Sequence, residues 1–112
     1  MKTLEIKYRV PVTVETTEVH LPYHFRTGVG DMVDHYCMTE ELCLIKIWSA
    51  DNTIFSSCIK YLSIADATAA IERETSREGF KTIDADTFEA AFLDAQRKLY
   101  YTLNPQIGRA HV

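Results

Sequence analysis

Cys58-Ile59-Lys60-Tyr61-Leu62-Ser63-Ile64-Ala65-Asp66-Ala67-Thr68-Ala69-Ala70-Ile71 decides the fold, because the hydrophobic rhythm changes within it. Up to Ser63, apolar residues recur with a period of two. After it they recur at three and four. The clearest run of the first kind is Leu4, Ile6, Tyr8, Val10, Val12 and Val14, alternating with Glu5, Lys7, Arg9, Pro11, Thr13 and Glu15. Such alternation predicts a strand with one buried and one wet face. The rhythm change therefore divides the chain into a sheet half and a helix half.

The first strand is expected over Thr3 to Thr16, at a sheet edge or broken at Pro11, which has no N–H to give to a ladder. Thr16-Thr17 then reads as a turn. A second run sets Val19, Leu21, Tyr23 and Phe25 against Glu18, His20, Pro22, His24 and Arg26, forming a hairpin with the first. Thr27 to Asp31 is a loop by its glycines, Met32 to Met38 a third strand, and Thr39-Glu40-Glu41 a turn. Cys43 to Trp48 and Ile54 to Leu62 form the last hairpin, with Ala50-Asp51-Asn52 as a three-residue loop.

Ser63 caps the first helix, with Asp66 three residues on as the acid of a capping box. Ile64, Ala67, Ala70 and Ile71 give it a narrow apolar face, and it ends between Ser76 and Gly79, where glycine makes a natural stop. Asp84 caps the second helix, and Ile83 and Phe88 are spaced as a hydrophobic staple. Phe88, Ala91, Phe92, Ala95, Leu99 and Leu103 share one face, and Asn104-Pro105 stops the helix. The expected architecture is α+β: an antiparallel sheet of about five strands, then two C-terminal helices packed on one face of it. Residues 1–105 make a single domain and residues 106–112 a C-terminal tail.

With 112 residues, 46% hydrophobic and 25% charged, the composition is that of an ordinary globular domain. The net charge of −4 argues against generic phosphate-backbone binding. The cysteines, Cys37, Cys43 and Cys58, are odd in number and not closely spaced. No leader pattern or membrane-length apolar run is present. Reduced thiols acting as small hydrophobes in a cytoplasmic protein are the simplest reading.

No catalytic, metal or nucleotide motif emerges, so no cofactor is expected. His20 and His24 on a strand stand roughly 13 Å apart, too far to share a zinc ion. Gly28-x-Gly30 lacks the third glycine of a dinucleotide fingerprint. Asp84-Ala85-Asp86 lacks the glycine and distal glutamate of a calcium loop. His35 and Cys37 point the same way at roughly 6–7 Å, with no third residue to orient them. A small enzyme using His20, His24, His35 or Cys37 is kept as an alternative on those residue types.

The last hairpin carries the leading functional expectation. A three-residue loop sets Ile47 opposite Phe55, with Cys43, Ile45, Ile47, Phe55, Ile59 and Tyr61 toward the core. Leu44, Lys46, Trp48, Ile54, Ser56, Cys58 and Lys60 then line the outer face, with Trp48 across from Ile54. Exposing Leu44, Trp48 and Ile54 together is unusual. Three explanations compete: the chain covers this face itself, a second copy or protein partner covers it, or the register is displaced by one residue and every side chain turns over. The leading reading is a non-catalytic interaction module, in its simplest form a homodimer. The polar strand positions also carry Arg9, Arg26, Lys46 and Lys60, which suggests an anionic ligand or a single strand of nucleic acid as an alternative. Cations on open strands also simply discourage aggregation.

Overall fold

A computed structural model describes residues 3–10, 13–50 and 53–103; side chains at 8–10, 13–15, 49, 50, 53 and 99–103 are not described. The strands are β1 (Thr3–Val10), β2 (Thr13–His20), β3 (Tyr23–Val29), β4 (Met32–Met38), β5 (Cys43–Ala50) and β6 (Thr53–Lys60). Helix α1 (Ile64–Thr75), the short β7 (Lys81–Thr82) and helix α2 (Ala85–Leu103) follow. The α+β class stands: β6-β5-β4-β3-β7 form a five-stranded antiparallel sheet, and β1 and β2 pair in a separate two-stranded sheet.

Three local expectations are corrected. The first hairpin reverses not at Thr16-Thr17 but between Val10 and Thr13, which pair with each other. Pro11 and Val12 lie outside the described residues, as does the tail. The run from Val19 to Phe25 is divided at Leu21–Pro22, a cis peptide, and β2 and β3 belong to different sheets. The loop expected over Thr27 to Asp31 narrows to Gly30-Asp31, because Val29 pairs with Met32. The strand β7 had no warning beyond a single alternation.

The helices do not share a face. Ala67, Ala70 and Ile71 of α1 bury against Tyr23, Phe25, Tyr36, Met38 and Leu44, together with Leu4, Ile6 and Val19 of the β1–β2 hairpin. Phe88 and Ala95 of α2 pack instead on Cys37 and Ile47, with Ile45 and Ile54 beside them. Strand alternation dictates this split. Tyr36 and Met38 point to the α1 side and Cys37 to the α2 side, and all three are buried. A central strand buried on both faces loses its wet face. The expectation of one covered and one open face fails for that reason.

Each helix starts where the sequence places it. The Asp66 N–H donates to Ser63 Oγ at 3.1 Å, and the Thr87 N–H donates to Asp84 Oδ1 at 2.7 Å. Ile83 and Phe88 meet in the α2 core, as the staple requires. Helix α1 ends at Thr75 with Ser76 as its cap, ahead of Gly79. Gly79 has a different task. With φ +80° it passes so close to Gly28 that an added Cβ would meet the Gly28 carbonyl oxygen at 2.0 Å. Next to it, the Gly28 N–H donates to the Glu78 carbonyl at 2.7 Å.

A polar cluster joins α1 to the sheet. The Tyr36 hydroxyl donates to Glu74 Oε2 at 3.2 Å and receives the Thr27 hydroxyl at 3.0 Å. Arg77 Nε closes on the same Glu74 oxygen at 2.8 Å. Burial pushes the Tyr36 phenol up to about 12, so it remains a donor. On the far side of α1, Glu72 Oε2 accepts the Lys7 N–H at 2.7 Å and fastens the β1–β2 hairpin.

Candidate interaction surface

The β5–β6 hairpin pairs without interruption from Cys43↔Lys60 to Ala50↔Thr53. Asp51 and Asn52 are left between the strands and lie outside the described residues. This register is one residue away from the three-residue-loop expectation. It turns β6 over: Ile47 faces Ser56, Trp48 faces Phe55, and Leu44 faces Ile59. Phe55 and Ile59, expected in the core, therefore share a face with Leu44, Lys46 and Trp48. Ile54 lies on the other face, half-buried against the α2 core.

The expected trio thus separates. Leu44 is buried under the α1 layer, Ile54 packs toward α2, and Trp48 is half-exposed. Phe55 takes the place beside Trp48. Their rings stack at 5.4 Å between centroids and 16° between planes. Lys46 lays its ammonium 4.9 Å from the Trp48 centroid and 5.6 Å from that of Tyr36, and pairs with Asp34 at 3.8 Å. The ammonium thus lies within cation–π reach of the half-exposed Trp48 ring and of the buried Tyr36 ring. Phe55 is 41% exposed and Ile59 51%, and apolar exposure continues along the chain at Leu62, 91%, and Ile64, 50%. Among the described residues the other large exposed apolar side chains, Val29, Met32 and Leu93, lie at the β3–β4 turn and on α2.

Phe55 and Ile59 escaped the sequence reading because β6 has apolar residues on both faces, Ile54 with Cys58 on one and Phe55 with Ile59 on the other. The usable signal was the turn: two-residue connections are the commonest in hairpins.

The cations expected to form one basic face do not meet. Arg26 lies on the α2 face and Lys46 on the α1 face. Lys60 donates to the Glu41 carbonyl at 3.3 Å. Arg9 belongs to the separate β1–β2 sheet, and its side chain lies outside the described residues. Arg26 Nε is buried without a hydrogen-bond partner among the described residues.

Of the four residues weighed for catalysis, His20 stands apart in the β1–β2 sheet and the other three share one face of the five-stranded sheet. His20 sits in β2, 3.4 Å from the Thr3 hydroxyl. His24, His35 and Cys37 lie on the α2 face, with His24 directly opposite Cys37. Burial pushes the Cys37 thiol up to about 11, which keeps it protonated and weakly nucleophilic. Burial lowers His24, with Asp84 opposing it, and lowers His35, where Arg26 adds to the effect. A nucleophilic cysteine needs the reverse environment. Of the three thiols expected to be small buried hydrophobes, Cys37 alone is buried; Cys58 is exposed because β6 is an edge strand. Among the described residues no group of His, Cys, Asp and Glu is placed to hold a metal ion, and no described helix is long and apolar enough to cross a membrane.

No family model, curated protein or solved structure matches this chain.

Proposed function

We propose that this chain is a non-catalytic protein-interaction module of the cytoplasm that binds through the face around Trp48. The contact set is Trp48, Phe55 and Ile59; Leu44 and Ile54 act behind it by packing the hairpin. The observation that carries this reading is the stacked Trp48–Phe55 pair, flanked by Lys46 and left open to solvent at the sheet edge. Aromatic side chains anchored on a rigid strand pair are the commonest energetic centres of protein interfaces, because they bury large area at little entropic cost.

The test is a photoreactive benzoylphenylalanine in place of Phe55, with the same group at exposed Arg73 on α1 as the control. Irradiation in cells is expected to give discrete cross-linked species at position 55 that disappear in an Ile59→Asp background. Equal, diffuse labelling at both positions would refute the reading.

A further inference from the structure

We infer that the partner of this surface is a second copy of the chain, joined edge to edge through the two β6 strands in antiparallel register centred on Ser57. The inference rests on the interaction reading above and names its partner.

Strand β6 ends the five-stranded sheet, so among the described residues β5 is its one sheet neighbour and no strand pairs with the backbone groups along its other side. Such an edge is a template for another strand unless something blocks it. The usual blocks are absent from β6. Its eight-residue register runs without a bulge, and Thr53–Lys60 contains no proline. Its single charge, Lys60, stands at the far end and is turned back to the Glu41 carbonyl. Nothing charged between Thr53 and Ile59 sets one copy against another, although the whole chain carries −4.

The order of side chains selects the register. Phe55 and Ile59 stand equally far on either side of Ser57, on the face of the Trp48 ring. A two-fold axis at Ser57 places each Phe55 opposite the other copy's Ile59, and each Ser56 opposite the other copy's Cys58. Antiparallel partners share a face, so the apolar pairs fall together and extend the Trp48–Phe55 stack. The small serine on the axis leaves room for its own image. This is an isologous contact, the kind that closes at two copies. A standard interface buries roughly 800 Å² per partner, and a contact confined to one eight-residue strand edge is expected to fall short of that and to give a weak, concentration-dependent dimer.

The full chain is tested by sedimentation velocity over a wide concentration range. A reversible monomer–dimer equilibrium is expected, weakened about tenfold or more by Phe55→Lys. Phe55 is exposed, so this variant should keep its fold, checked by circular dichroism. Register is read by oxidation of Ser57→Cys in a Cys58→Ser background. Directly opposed strand residues have Cα atoms about 4.5–5.5 Å apart, within the roughly 4.4–6.8 Å span of a disulfide. Covalent dimer should form readily there. It should form poorly through Cys58 in the wild type, where the two thiols stand diagonally at roughly 7–8 Å. A wild type that stays monomeric, or a Ser57→Cys chain that cross-links no better than Arg73→Cys in the same background, overturns the inference. If the chain is monomeric while position 55 captures a different protein, self-pairing fails and the interaction reading survives. If position 55 captures nothing, both fail.

Discussion

At Gly79 a single hydrogen atom in place of a methyl group lets the segment after α1 lie against the end of β3. Replacement by alanine meets both the left-handed backbone and the Gly28 carbonyl. Gly79→Ala should therefore lose more than about 2 kcal/mol of stability in urea titration, a combination of backbone strain and displacement. Gly30 shares the left-handed conformation, φ +61°, but faces open space. Gly30→Ala should cost about 1 kcal/mol. Equal losses would mean that the contact with Gly28 does not matter. The histidines give a second expectation at this scale. His24 lies 5.5 Å from the Phe88 ring centroid, and His24 and His35 both have folded values below the ordinary 6.5. The unfolded chain therefore takes up protons first. The stability from the neutral rings is complete above pH 6.5 and is lost as pH falls through the depressed folded values. The urea midpoint should drop between about pH 7.5 and pH 5, and the double change His24→Gln with His35→Gln should flatten that slope. An unchanged slope would place the titrating groups elsewhere.

Among the elements, the helices were the most legible, because their start signals are local. Ser63 and Asp84 each reach an N–H three residues on, and no distant part of the chain alters that geometry. Ser63→Ala should accordingly lower stability by about 1 kcal/mol, read as a shift of the unfolding midpoint, with the fold retained. Strand existence was legible too, as in Met32 to Met38. Register and partnership were not. Pro11 reads as an edge or a break in the first strand, but nothing local says that the chain passes from one sheet to another between His20 and Tyr23. In β6 the two faces are almost equally apolar, so alternation leaves its parity undecided, and one residue of turn length moves Phe55 and Ile59 from the core to the surface. That step also moves Ile54 to the α2 face and brings Phe55 and Ile59 to the face of Trp48, while Leu44, on β5, is buried by the α1 layer whatever the register of β6. The basic set dissolves for the same reason, since shared polarity along separate strands does not amount to a shared face.

Over the whole molecule, two cores lie back to back across one sheet. The α1 core is the larger and includes the β1–β2 hairpin, and its helix is held by Tyr36–Glu74 and Lys7–Glu72. Among the described residues the α2 core is smaller, with Cys37, Ile47, Phe88 and Ala95 as its buried members. Backbone amides should therefore exchange with deuterium in two tiers, α2 early and β3, β4 and α1 together at the limit of global unfolding. Uniform protection of both helices would contradict this ranking. The short strand β7 gives the ranking a further meaning. It is stitched to β3 by the Ile83 N–H on the His24 carbonyl at 3.1 Å and by Tyr23 with Thr82 at 2.8 Å, immediately before α2 begins. A helix that lifts from the sheet is thus still moored at its first turn. Its return is a local search over a few residues of chain, fast and independent of concentration, whereas meeting a second molecule at the opposite edge depends on how much protein is present. With the proposed pairing of β6, the two ends of the same sheet answer to different variables, acidity at the β3–α2 side and abundance at β6.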